Sequence, residues 1–168
     1  MKRFSFHDDV LPLKDQLFRL ALRITLNAAE AEDVVQETLI RVWQQREEWP
    51  KIRSMEAYCM TICRRLALNE AARACHANVT LEEKHDTPSG TTPFEQLAQS
   101  EQMNMLRKLM DSLPEVQRSI LQLRDIEGFS YQEIASVLEL DENQVKVYLY
   151  RARQRIRLLI EETENYGL

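Results

Sequence analysis

Only three glycines and five prolines occur among 168 residues, and no long stretch alternates Val, Ile and Thr. Turn formers are too few for a set of hairpins, so an all-helical fold is the expectation. Nowhere do roughly 18 apolar residues follow one another, which leaves no candidate membrane span. The opening MKRFSFHDDVLPLKDQL also lacks the apolar run of a signal peptide, so the chain is expected in the cytoplasm without membrane contact of its own. The three cysteines are an odd number, and Cys59 and Cys63 lie four apart in a helix-like stretch, which argues for reduced thiols over a disulfide framework. Cys59, Cys63, Cys75 and His76 lack a clear four-ligand spacing, so no metal site is expected and buried thiols are the simpler account. A nucleophile–base pair, a glycine-rich phosphate loop and paired catalytic carboxylates are all missing as well, which points away from an enzyme and from any cofactor.

What the chain does have is helix formers in amphipathic order. Leu13, Leu17, Leu20, Ala21 and Ile24 mark a first helix after Pro12. Asn27, with Glu30 three residues on, caps a second helix whose apolar side is Val34, Val35, Leu39, Val42 and Trp43, ending before Pro50. Ser54 caps a third through Tyr58, Ile62 and Leu66, with Cys59 and Cys63 turned inward, to about Ala74. Periodicity then fails across HANVTLEEKHDTPSGTTP. Two small helical domains, 1–75 and 95–168, are therefore expected on either side of a flexible linker, 76–94. Roughly 19 flexible residues span about 25 Å, and at most about 65 Å when stretched.

The second block starts with a helix bearing Phe94, Leu97, Leu106, Leu109 and Met110. SLPEVQRSILQLRDIEG gives the next helix, with Pro114 near its start and Gly128 at its end. Ser130 and Glu133 make a capping box for a short helix to Leu138, and a tight turn at Glu139–Asp141 leads into a long final helix. That spacing is helix-turn-helix. Glu139 stands where many such turns have Gly, and a left-handed residue there costs about 1 kcal/mol unless a different turn is used.

The net charge of −5 makes the last helix conspicuous, because Asn143 to Ile160 holds one Lys, four Arg and no acid. At 100° per residue the face opposite Val145, Leu149 and Ala152 presents Lys146, Val147, Tyr150, Arg151 and Gln154, with Asn143 at the entry. Cations, amides and an apolar group are the chemistry of base-edge reading. Arg153, Arg155 and Arg157 flank it and suit phosphates. A solvated basic face favoured by the helix dipole would look similar.

In the first block, EDVVQETLIRVW puts Asp33, Gln36, Glu37 and Ile40 on one flank of a helix, beside an apolar edge of Val35, Leu39, Val42 and Trp43. This is either plain solvent face or a protein docking surface. Together, AEAEDVVQETLIRVW and LPEVQRSILQLRDIEGFSYQEIASVLELDENQVKVYLYRARQRIR resemble regions two and four of bacterial RNA polymerase sigma factors of the extracytoplasmic-function (ECF) group, in order and over nearly the whole chain. The resemblance implies that Asp33, Gln36, Glu37, Leu39, Ile40 and Trp43 dock on core RNA polymerase. It implies that the third helix, with Arg64, Arg65, Asn69 and Arg73, recognises and helps melt the minus-10 element. Trp49, Lys51 and Arg53 in the preceding loop are expected to meet an unstacked base.

By the same resemblance, Asn143, Gln144, Lys146, Val147, Tyr150, Arg151 and Gln154 would read minus-35 duplex, and an anti-sigma protein is an implied partner. Val147 and Tyr150 depart from the family's more usual polar pair, and Arg73 stands nearly alone where the family has an Arg cluster. The expected function is to direct core polymerase to promoters, with the phosphodiester chemistry left to the polymerase. The linker's relaxed span falls short of the roughly 50 Å between the two promoter elements, so the core enzyme would space the domains. Two rivals remain on residues alone: a conventional DNA-binding regulator with a different first domain, and a thiol-based enzyme or metal sensor.

Overall fold

The computed structural model describes residues 3–77 and 101–165, and among them every regular element is helical. Ser5 opens a π-helical turn, Phe6–Val10, and a 3-10 turn, Leu11–Leu13, takes Pro12 near its start. Helix α1, Lys14–Thr25, follows, so Pro12 lies ahead of the helix, where its missing N–H costs little. Leu26 ends α1 in the left-handed region, φ 57°, its N–H donating to Leu22 O. The reversal delivers Asn27, whose side chain accepts the Glu30 N–H at 2.9 Å and starts α2, Ala28–Gln44.

Pro50 falls inside a 3-10 turn, Arg46–Lys51. Ser54 Oγ then accepts the Ala57 N–H at 3.1 Å and begins α3, Met55–Ala77. The first two residues of the expected linker, 76 and 77, thus continue α3; from residue 78 the linker lies outside the described residues, as do Phe94 and Leu97. Helices α1, α2 and α3 pack against one another around fully buried Leu17, Leu20, Ala31, Val42, Cys59, Met60 and Cys63. Each large apolar side chain removed from water contributes about 1.5–3 kcal/mol.

The second block comprises α4 (Glu101–Asp111), α5 (Glu115–Leu121), α6 (Tyr131–Leu138) and α7 (Glu142–Asn165). Helix α5 runs into a π-helical turn, Gln122–Ile126, which ends at Gly128 with φ 77°, a conformation that costs glycine little. Ser130 and Glu133 form the expected capping box. Ile120, Leu123, Ile134, Val145, Leu149 and Ala152 make the core. Glu139 does adopt the left-handed conformation, φ 57° and ψ 45°, so the turn keeps the geometry of a glycine-type turn without the glycine.

The two helical units do not stand apart. Helices α1 and α3 pack on α5 and α6, a contact for which the sequence offers no periodic signal. Arg118 of α5 caps α1 from the other unit: its Nε donates to Arg23 O at 2.5 Å, and its Nη2 to Ile24 O at 3.4 Å. Cationic donors suit the negative end of a helix, whose last carbonyls lack partners of their own. Arg19 holds Glu127 with two hydrogen bonds, 2.6 and 2.8 Å, and buried Arg23 meets Asp111 at 2.9 Å.

Candidate nucleic-acid interface

On α2 the 3.6-residue period turns Val34, Val35, Thr38 and Val42 inward and leaves Asp33, Gln36, Glu37 and Ile40 exposed on the opposite flank. Leu39 is half-buried at its edge. Ile40 and Trp43, 51% and 47% exposed, give this polar stripe an apolar rim. Trp43 is held edge-on by Phe6 at 5.5 Å and Trp49 at 6.3 Å, with the Arg46 guanidinium 4.4 Å above its ring. Phe6 is thus a support that periodicity did not single out, since it precedes any helical repeat.

Trp49 requires a correction. It is not available to stack on a base: the ring is 7% exposed, and its indole N–H donates to Val42 O at 3.1 Å. An aromatic beside a proline reads as a loop residue in sequence, but here the 3-10 turn folds it back under α2. Lys51 and Arg53 in the same segment are exposed, and Lys51 pairs with Glu48.

Along α3, Arg65 and Asn69 lie on the side away from Cys59, Cys63 and Ala67, while Arg64 and Arg73 flank that buried stripe on opposite sides. They are not all open to solvent. Arg64 is enclosed by α5, where it meets Glu115 at 3.1 Å with the two side chains 13% and 22% exposed. Arg65 donates to Glu139 at 2.6 Å, and Arg73 pairs with Glu70 on its own helix. Tyr58 is half-buried and donates to Gln45 Oε1, and burial is the main cause that raises its phenol above the ordinary range. Burial likewise pushes the Cys59 and Cys63 thiols up to about 12. Among the described residues no group of three metal-ligating side chains comes together.

On α7 the side chains expected on the outer face are at the surface. Val145, Leu149 and Ala152 are buried, while Asn143, Lys146, Val147, Tyr150 and Arg151 are exposed, Val147 by 46% and Tyr150 by 65%, and Gln154 is half-exposed. Two of the expected side chains have partners within the chain. Gln144 closes a capping box with Asp141, its N–H donating to Asp141 Oδ1 at 2.7 Å and its Oε1 accepting the Asp141 N–H at 3.0 Å. It starts the helix rather than facing a base. Arg153 is held by both oxygens of Asp125 at 2.5 and 3.1 Å, which raises its guanidinium above its ordinary range; like Arg64 and Arg65, it would exchange a carboxylate for a phosphate on binding DNA. Arg155 and Arg157 are exposed.

Comparison with known proteins agrees with this geometry. Residues 10–75 match the family described as Sigma-70 region 2, and residues 103–156 match Sigma-70, region 4. The ECF RNA polymerase sigma factor SigL of Mycobacterium tuberculosis is 34% identical over 148 residues, spanning 87% of this chain and 83% of that protein. EcfG of Rhodopseudomonas palustris is 29% identical over 167 residues, covering 97% and 90%. The fold is shared with the sigma factor RpoE of Bartonella quintana, solved with the anti-sigma factor NepR, at a TM-score of 0.77, 22% identity and coverage of 93% and 96% of the two chains. It is also shared with CnrH, solved with the cytosolic domain of CnrY, at a TM-score of 0.69, 19% identity and coverage of 94% and 88%. Both conserved regions stand in the expected order on one polypeptide, and the chain belongs to the ECF RNA polymerase sigma factors.

Proposed function

We propose that α2 docks on core RNA polymerase through Asp33, Gln36, Glu37, Leu39, Ile40 and Trp43, that the α3 face with Arg53, Arg64, Arg65, Asn69 and Arg73 takes the melted minus-10 strand, and that α7 reads minus-35 duplex through Asn143, Lys146, Val147, Tyr150, Arg151 and Gln154. The observation that carries this reading is the presence, on one chain, of an exposed acidic and apolar stripe on α2 and an exposed cation, amide and aromatic face on α7. The first suits a protein partner and the second suits base edges. Neither surface alone would support more than weak binding; spaced by the core enzyme, the two DNA contacts become one multivalent engagement.

Work with polymerase supports a cytoplasmic location. No helix among the described residues is long and apolar enough to cross a membrane. The solved RpoE of Bartonella quintana is bound to the anti-sigma factor NepR, which supports a regulator of that kind for this chain too. The chain has no need of catalytic groups, because the bond-forming chemistry belongs to the core.

Co-elution with bacterial core polymerase tests the reading, with an Asp33→Ala/Gln36→Ala/Glu37→Ala variant run alongside. The wild type is expected to co-elute and the variant to be lost from the complex while remaining folded by circular dichroism. Failure of the wild type to bind a competent core would leave only the basic face of α7 and favour an ordinary DNA-binding regulator.

A further inference from the structure

A cavity of about 280 Å³ opens on the exposed face of α7 in its first turns, lined by Asp141, Asn143, Gln144, Val147, Tyr148 and Arg151. Its outer wall is a single row. Asn143, Val147 and Arg151 stand four residues apart, about 6 Å per interval along the helix axis, so an amide, a branched hydrocarbon and a guanidinium follow one another on one side. The middle of the row is apolar.

Three features make that middle a fixed surface. Val147 is 46% exposed and β-branched, and such a side chain keeps essentially one rotamer in a helix. Tyr148 beside it is half-buried and packs on the hydrophobic core, which anchors its ring. Asp141 closes the rim, and its Oδ1 accepts the Gln144 N–H at 2.7 Å, which holds the carboxylate in place. An anionic phosphate is repelled by that carboxylate, and a polar base edge set against hydrocarbon loses water without gaining a partner.

Among the groups that base pairs present in the major groove, the thymine 5-methyl is the apolar one. We infer that Val147 makes α7 selective for thymine at one position of the duplex, with the 5-methyl group seated against Val147 and Tyr148 in this cavity. The inference deepens the reading of α7 given above and rests on it. Asn143 and Arg151 flank the methyl site with groups suited to adenine and guanine, and they set its register on the DNA. Arg151 is free to do so, because among the described residues no carboxylate pairs with it, whereas Arg153 is held by Asp125.

The test uses the full chain at about 50 mM salt, where phosphate contacts are strong, and a pool of duplex DNA with a randomised central segment. The duplexes retained by wild type are expected to share a thymine. Each retained thymine is then replaced in turn by deoxyuridine, which removes the methyl and leaves the pairing edge unchanged. At one position this should weaken wild-type binding about three- to fivefold, the size expected of one buried methyl. At the same position 5-methylcytosine should bind better than cytosine by a similar factor. Val147→Ala should bring both ratios close to unity, while Lys146→Ala should weaken every duplex and keep them.

Equal binding of the thymine and deoxyuridine duplexes at every position, or a difference that persists in Val147→Ala, would overturn the inference. So would retention of cytosine in place of thymine that relaxes in Asp141→Asn, a change that keeps a capping side chain; the cavity would then belong to the cytosine amino group. Arg151→Ala on the same pool separates the two readings. If that variant loses the wild-type sequence preference while no methyl effect is found, α7 still reads duplex and the methyl site fails. If wild type itself retains no preferred sequence, both fail.

Discussion

The Arg65 guanidinium donates to the Glu139 carboxylate at 2.6 Å and joins the middle of α3 to the left-handed residue of the helix-turn-helix. Residues 74 positions apart in sequence thus meet at the proposed strand-binding face. Each carries a group whose other use would be in promoter recognition: Arg65 as a phosphate ligand, and Glu139 as the turn that sets the angle of α7.

This pair makes the closed arrangement sensitive to acid. The hydrogen bond from Arg65 holds the Glu139 carboxyl below its ordinary value of 4.5. Its contribution is therefore complete above that value and lost as pH falls through the lowered one. Asp111 has the opposite sign: burial outweighs Arg23, Arg118 and Arg107 and raises it above 3.8. Its relative stabilisation is present at low pH and falls as pH rises through the raised value. Solution scattering on a descending pH series should show the chain extending as pH falls below the ordinary carboxylate range, and Glu139→Gln should extend at a higher pH than wild type.

The thiols should separate cleanly by reactivity. Cys59 and Cys63 are buried with their thiols at about 12, and Cys63 donates to Leu17 O at 3.4 Å, whereas Cys75 is exposed. Titration with a disulfide reagent at pH 8 should modify Cys75 within minutes and the other two only on unfolding. Rapid modification of all three in the native protein would contradict the packing of α3.

The two tryptophans should report different surroundings. Trp43→Phe should remove most of the acrylamide-quenchable emission and leave the blue-shifted signal of Trp49. Docking on core polymerase should protect Trp43 from the quencher. Trp49→Ala should destabilise the first unit by about 3–5 kcal/mol, read by urea unfolding, because it removes a buried ring and its hydrogen bond to Val42 O.

Neighbouring arginines of α7 should behave differently toward DNA. With generic duplex, Arg155→Ala should lower the slope of log K against log salt by about 0.9. Arg153→Ala should lower it by less, since Asp125 beside that fork offsets part of its charge. Equal effects would mean that Asp125 moves clear of the fork on binding.

Asp111→Ala should destabilise the chain by about 1–3 kcal/mol in urea unfolding, because it leaves Arg23 buried without its carboxylate. Asp125→Ala, at a half-exposed pair, should cost less than about 1 kcal/mol.

Much of the local structure was readable in advance, for a physical reason. Asn27, Ser54, Ser130 and Glu133 cap helices by contacts three residues away, and Val145, Leu149 and Ala152 repeat along one helix face. Such signals lie within one turn of the chain. The contacts that periodicity did not show are of another kind. Trp49 was expected to face a base, Gln144 to read one and Arg153 to grip a phosphate. Their actual partners are Val42 O seven residues back, Asp141 at a cap that competes with base contact, and Asp125 on a neighbouring element. Gln144 was within reach of sequence reasoning, since Asp141-x-x-Gln144 is itself a capping pattern. Asp125 was not, because nothing in a helix period tells which acid lies opposite.

By itself, then, the sequence determined the helices, their caps, the exposed polar stripe on α2 and the exposed basic face on α7, because helical periodicity and capping are properties of neighbouring residues. Only the tertiary structure decided that α5 and α6 close over α3, that Arg118 caps α1 and that Arg64 and Arg65 are already paired with carboxylates. Those contacts join residues between 51 and 95 positions apart. A charge pair at such separation leaves no periodic trace: its partners are chosen by how two folded surfaces meet.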